Sequence, residues 1–257
     1  MIHISLAAEP LYHIFGLPIN NSLITAFVGS AVILGLFIPA ARKVTLNPKS
    51  KFANMIEAIC EMILDLVDEV FHDRKKAIKF FPFLMTIFIF IVVNNWLGLL
   101  PGVGSITIQT AEGIAPLFRG ANADLNTTLA LAIISVVMTQ IYAARELGVA
   151  THLKKYFSLN PIMTFVGMLE LVGELSKMVS FSFRLFGNIF AGEVLLAVIA
   201  FLSPLIAPLP FFGLELFVGL VQALVFTMLT LVFLAIATTD HSDYNHAETS
   251  VVHEKHA

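Results

Sequence analysis

Six ionisable side chains sit inside stretches of this sequence that are otherwise apolar. Glu170, Glu174, Lys177, Arg184 and Glu193 fall in one stretch, and Glu215 falls in the next. Embedded in a membrane, such groups each cost several kcal/mol, and residues of this kind bind ions or hand protons on. Their arrangement follows from helical geometry at about 100° per residue. With Glu170 at the origin, Glu174 falls at about +40°, Lys177 at about −20°, Arg184 at about −40° and Asn188 at about 0°. These five share one narrow stripe. Glu193 falls about 180° from Arg184, on the other face. In the following stretch Glu215, Gly219, Gln222 and Phe226 lie within about 60° of one another.

A structural reading competes with a functional one for part of this set. Glu174 and Lys177 have the spacing of an ordinary i,i+3 ion pair. Arg184 does not yield to that reading. It lies among Phe181, Phe183, Leu185 and Phe186, and no acid stands three or four residues away on either side. A guanidinium keeps its proton in any protein environment. The partner of Arg184 is therefore expected on another helix or another chain.

The elements that must position these groups are membrane helices. Residues 1–21 hold Pro10 and Pro18 and lack the basic start and cleavage site of a signal peptide, so they read as a short outer tail. Ser22 to Ala41 is an uncharged span, followed at once by Arg42, Lys43, Lys49 and Lys51. The positive-inside rule makes that end cytoplasmic. From Phe52 to Lys76, Ile56, Ile59, Ile63, Val67 and Val70 recur at helical spacing. Glu57, Glu61, Asp65, Asp68 and Glu69 fill the opposite face. This is an amphipathic surface helix, whose acidic side anionic headgroups would repel, so it faces water or a protein neighbour. Spans follow at Phe80 to Leu100 and at Asp124 to Ala144, separated by a loop whose single cation is Arg119.

Residues 161–203 are too long for a simple crossing. At 1.5 Å per residue they make roughly 65 Å of helix, against a hydrocarbon core of about 30 Å. Re-entry at Gly187 or Gly192 would leave backbone groups unsatisfied at depth, so one long tilted helix is expected. Pro204, Pro208 and Pro210 then turn the chain, and Phe211 to Thr238 forms the last helix. The tail from Thr239 carries His241, His246, His253 and His256 at irregular spacing, and no metal site is expected there. The fold class is an all-α polytopic membrane protein. It has five embedded helices and one surface helix, in a single membrane domain.

Composition agrees and excludes other classes. Hydrophobic residues make up 58% of the 257 residues and charged residues 13%, against about 25% charged in a soluble domain. A net charge of −3 provides no basic field for nucleic acid. The single cysteine, Cys60, permits no internal disulfide and no Cys-rich metal framework.

At this point the residues resemble a known family. The run Arg184-Leu185-Phe186-Gly187-Asn188, with Ala191-Gly192-Glu193 after it, resembles the signature of subunit a of the F-type ATP synthase. Gln222-Ala223-Leu224-Val225-Phe226 with Leu229-Thr230 is similar to that family's last helix. Asn95-Trp96-Leu97-Gly98-Leu99-Leu100-Pro101 and Asp124-Leu125-Asn126-Thr127-Thr128 also match its pattern. The resemblance implies a non-catalytic stator subunit that carries protons through two offset half-channels against a rotating ring of c subunits. Peripheral-stalk b subunits, the other ATP synthase subunits and the lipid bilayer are its implied neighbours. No cofactor is implied. Arg184 would be the essential arginine with Asn188 beside it. Glu193, Glu215 and Gln222 would line the outer half-channel, and Glu170 and Glu174 the cytoplasmic one. Some members carry histidine where Glu215 aligns, so the pH response of proton uptake should differ here. The expected location is a bacterial plasma membrane, with the N-terminus outside and the C-terminus cytoplasmic.

Two other classes compete. A stand-alone proton-coupled transporter or channel also buries acids and an arginine, but many such folds show internal repeats, and none is visible here. An intramembrane hydrolase needs a nucleophile with a base in reach. Neither a Gly-x-Ser-x-Gly nor a His-Glu-x-x-His motif occurs, and no histidine falls inside a span.

Overall fold

A computed structural model describes residues 9–14, 17–42, 51–104, 106–110, 113–149, 152, 161–203 and 206–239. The histidines of the tail lie outside these residues. The chain opens with a small antiparallel hairpin, β1 (Pro10–Ile14) and β2 (Leu17–Asn20). Next come helices α1 (Asn21–Arg42), α2 (Lys51–Phe71) and α3 (Arg74–Gly98). An extended segment, β3 (Pro101–Gly104), and a second hairpin, β4 (Thr107–Thr110) with β5 (Gly113–Pro116), follow α3. A single 3₁₀ turn at Ala121–Ala123 leads into α4 (Leu125–Leu147). Two long helices complete the described chain, α5 (Pro161–Leu202, 42 residues) and α6 (Pro208–Thr238, 31 residues). The hairpins occupy segments that the sequence presents only as a tail and a loop. Each pairs a few residues, with no apolar alternation long enough to mark it in advance.

Five of the six α-helices among the described residues are long and apolar enough to cross a membrane. The sixth, α2, carries the acidic face. Its Ile63 and Val67 are buried in the common core with Phe80 and Leu84 of α3. Its apolar side therefore packs on the protein's own helices, while Glu57, Glu61, Asp65 and Glu69 stay exposed. Burial raises the Cys60 thiol above its ordinary pKa, and the nearby Glu57 adds to the effect. That combination keeps Cys60 in the unreactive thiol form.

The expected surface helix of residues 52–76 and the span of residues 80–100 divide differently in the structure. The break comes at His72 and Asp73. His72 adopts a left-handed φ of 51°, which ends α2. The Asp73 carboxylate then accepts from the Lys75 backbone N–H at 2.9 Å and caps α3. Arg74, Lys75, Lys76 and Lys79 thus form the first turns of a continuous membrane helix. Arg74 reaches back to Asp68 at 3.2 Å, and Lys79 pairs with Glu146 of α4.

α5 is one helix through both Gly187 and Gly192. At 1.5 Å per residue it is about 63 Å long, and α6 about 47 Å. α5 packs on α4 and α6, and α6 also packs on α3. The buried stripe of α5 is Phe181, Leu185, Ile189 and Gly192, the i, i+3 and i+4 spacing of one face. Phe181 meets Phe226 of α6, ring centroids 5.0 Å apart. Buried hydroxyl pairs join the helices: Thr128 and Ser182 across α4 and α5 at 3.1 Å, and Ser135 and Thr230 across α4 and α6 at 2.8 Å. Between membrane helices, such polar contacts and close packing replace the hydrophobic drive available in water.

Asp124 ties the outer end together. It caps α4 by accepting from the Asn126 backbone N–H at 3.1 Å and takes a second bond from the Ser22 hydroxyl of α1 at 2.6 Å. Asp124→Ala removes the cap and leaves Ser22 without its acceptor. We expect a loss of about 1 kcal/mol, read as a lower apparent unfolding temperature of the detergent-purified protein. An unchanged temperature would contradict this role.

Candidate functional site

The embedded residues assemble into two groups with Arg184 between them. The outer group forms where the last turns of α5 meet α6 and the segment before α4. Glu193 is half-buried, and the Gly120 backbone N–H donates to its carboxylate. Arg119 and Glu215 are the charged groups that act on it. Glu215, on α6, is only 6% exposed. Its carboxyl lies directly over Gly192, where a Cβ would overlap both carboxylate oxygens. A Cβ on Gly120 would likewise collide with Glu193 Oε1. Two glycines on two elements thus make the space that two glutamates fill. Gly120 has ordinary φ and ψ, so space and not backbone conformation is what calls for glycine there.

Amides lie near the acids in two hydrogen-bonded sets. Gln222 sits on the same buried face of α6 as Glu215 and Gly219. Its Oε1 accepts from Asn188 Nδ2 of α5 at 2.6 Å. The Gly219 carbonyl accepts from Asn95 Nδ2 at 2.8 Å. The Asn95 Oδ1 in turn accepts from Asn122 Nδ2 at 2.7 Å. Trp96 donates to the Leu216 carbonyl at 3.2 Å. Asn94 Oδ1, Asn122 Oδ1 and Gln222 Nε2 are buried without a hydrogen-bond partner among the described residues. Polar atoms buried in this way are the ones that hold water.

Arg184 stands apart. It is exposed on α5, about a quarter turn around the helix from the buried Phe181–Leu185–Ile189 stripe. No carboxylate among the described residues lies within ion-pair distance of it. Asn188, one turn further along, is exposed on the same face and reaches Gln222. That bond links the face of Arg184 to the buried polar row of α6. Exposed apolar residues run along α5 on both sides of the arginine, from Phe165 and Leu169 through Val179 and Phe183 to Leu195.

The inner group lies toward the start of α5. Lys177 Nζ meets Glu174 Oε1 at 2.7 Å and sits over the Phe233 ring of α6, 4.5 Å from its centroid. Glu170, one turn earlier, is half-buried. It precedes Arg184 by 14 residues, about 21 Å along the helix, and Glu193 follows Arg184 by about 13 Å. Acids therefore stand on both sides of the arginine along the helix axis.

Of the residues singled out on the sequence, Glu193 and Glu215 come together, Asn188 and Gln222 come together, and Glu174 joins Lys177. Arg184 joins none of them. Arg119, Gly120, Asn95 and Asn122 are additions. In sequence Arg119 is only the lone cation of an outer loop, and Gly120 one glycine among fifteen. The available signal was the presence of amides in an apolar setting, Asn94-Asn95 at the end of a span and Asn122 just before another. Among the described residues no group of three or more His, Cys, Asp or Glu side chains is arranged to hold a metal.

Comparison with known proteins shows the family. The sequence model of the family described as ATP synthase A chain matches residues 23–235. ATP synthase subunit a of Moorella thermoacetica is 28% identical over 225 residues, covering 88% of this chain and 94% of that protein. The family match begins inside α1, ends inside α6 and takes in every residue of the outer group, Arg184 and the inner group, so this chain belongs to the ATP synthase A chain family.

Proposed function

We propose that the chain is the proton-carrying stator subunit of a rotary ATP synthase, lying against a ring of c subunits, with the ATP chemistry in other subunits. The observation that carries this reading is the placement of Arg184. It is a permanent cation on an exposed apolar face, with no acid among the described residues in ion-pair reach, and acids are offset on either side. A carboxylate on a neighbouring ring would supply the missing partner. The exposed apolar side chains around Arg184 fit a surface that another protein covers. The tilt expected for α5 and α6 would lay these helices, each longer than the bilayer is thick, along such a ring.

The mechanism follows from charge. A proton enters from the outer side through the Glu193–Glu215 group and the water-holding amides beside it. It neutralises a ring carboxylate, which then moves into lipid at low cost. When that carboxylate arrives at Arg184 from the other side, the fixed cation favours its ionised form and the proton leaves toward Glu170. The same cation repels a proton that would cross directly from one half-channel to the other. Each charge moved delivers about 2.3 kcal/mol per 100 mV. Basic residues after α1 and at the start of α3 support an orientation with those ends cytoplasmic and the N-terminus outside, and the reading assigns the subunit to a bacterial plasma membrane.

Glu193→Gln tests the outer path. It keeps the shape and the bond from Gly120 but cannot relay a proton. ATP-driven proton pumping by the assembled complex in sealed vesicles should slow by at least about tenfold. Wild-type flux in that variant would remove Glu193 from the path.

A further inference from the structure

Lys177 is a second embedded cation on the stripe of Arg184. It lies seven residues before it, two turns and about 10.5 Å toward the inner end. A bare cation there would oppose protons on the inner side just as Arg184 opposes them at the centre. The structure covers it from two elements. On its own helix, Glu174 Oε1 lies 2.7 Å from its ammonium, with the two side chains only 13% and 30% exposed. From α6, the Phe233 ring faces the ammonium at 4.5 Å. The ring carries no charge, so Glu174 is the ionised group that contacts Lys177 among the described residues.

Embedded charges of opposite sign persist as pairs, and removing one partner strands the other. A carboxylate committed to a lysine is poorly placed to hand protons on. The sequence ranks Glu174 with Glu170 as a group of the inner path, and the ion pair with Lys177 gives Glu174 a different task. We propose that Glu174 is a positioning residue that cancels the charge of Lys177 at the mouth of the inner half-channel, leaving proton transfer at that end to Glu170. This inference rests on the half-channel reading given above.

The test is ATP-driven proton pumping by the whole complex in sealed inverted vesicles, normalised to the bound ATPase. Glu174→Gln leaves Lys177 uncompensated. A unit charge at about 10 Å, under an effective dielectric near 20, should lower pumping about tenfold at neutral pH. It should also move the pH dependence toward acid by about one unit, since tenfold more protons offset a tenfold loss of occupancy. A purely structural role would not shift the pH profile. Glu174→Gln combined with Lys177→Met removes both charges and should restore pumping to within about twofold, the coupling expected of a contacting pair. A double variant as slow as the single one would overturn the inference and return Glu174 to the proton path. Full pumping by Glu174→Gln alone would also overturn it. If the single variant does not assemble, the exchanged pair Glu174→Lys with Lys177→Glu carries the test. Neutrality is kept, so pumping supports the inference, and an assembled but inactive complex overturns it. Arg184→Ala run in parallel separates the two levels. Full pumping by that variant defeats the half-channel reading itself, whereas abolished pumping beside a slow double variant defeats only the role given to Glu174.

Discussion

Arg184→Ala should abolish coupled proton transport without disturbing the fold. The side chain is exposed and forms no ion pair within the described chain. Surface substitutions of this kind usually change stability by less than about 0.5 kcal/mol. Loss of activity in the variant would therefore report on the arginine's charge and not on misfolding. A cation about 4 Å from a carboxylate, at an effective dielectric near 20, favours its ionised form by about three orders of magnitude. Release of the proton toward the inner side should fall by a comparable factor, below what dye quenching in sealed vesicles detects. The barrier between the half-channels disappears with the same charge, so any residual proton movement should be passive and uncoupled from ATP. Arg184→Lys keeps a charge but loses the planar two-pronged donor, and it should remain severely impaired. Full ATP-driven pumping by Arg184→Ala in an assembled complex would refute the assignment.

The second large effect is expected at a residue with no side chain. Glycine inside a helix costs about 1 kcal/mol relative to alanine, so Gly192→Ala should help α5 in isolation. In the folded protein the added Cβ would fall on the Glu215 carboxylate. The helical backbone of α5 cannot retreat, since Leu185 and Ile189 on the same face are packed in the core. Glu215 must move instead. Gly192→Ala should slow proton uptake by about tenfold or more, through loss of a positioned relay group, and Gly192→Val should abolish it. Combining Gly192→Ala with Glu215→Ala relieves the collision. That double variant should assemble as well as the parent yet remain inactive, which separates loss of space from loss of the carboxyl. Gly35 on α1 provides the contrast, because a Cβ there meets nothing within 4 Å. Normal pumping by Gly192→Val would show that Glu215 does not need its present position.

These expectations draw on different levels of information. The isolation of Arg184 was legible in the sequence, because helical spacing alone shows that no acid stands a turn away. The ion pair of Glu174 with Lys177 was legible for the same reason, as was the clustering of Glu215, Gly219 and Gln222, all three buried on α6. The boundary between α2 and α3 was not. It turns on a left-handed histidine at position 72, a conformation uncommon outside glycine, with no glycine or proline beside it to mark the break. The role of Arg119 was hidden too. A lone loop cation reads as a topology marker until the fold sets it beside Glu193.

By itself the sequence determined which stretches are long and apolar enough for the membrane, which face of each helix carries polar groups, and that Arg184 needs a partner from elsewhere. All of these follow from the 3.6-residue period and from length, which are properties of one helix at a time. Only the tertiary structure decided that Glu193 meets Gly120, that Glu215 fills the space over Gly192, and that Asn95 bridges Gly219 and Asn122. Those contacts join residues from 23 to 124 positions apart. They depend on how the helices cross and on where a missing Cβ lets two of them close, and no periodicity within a single helix encodes that.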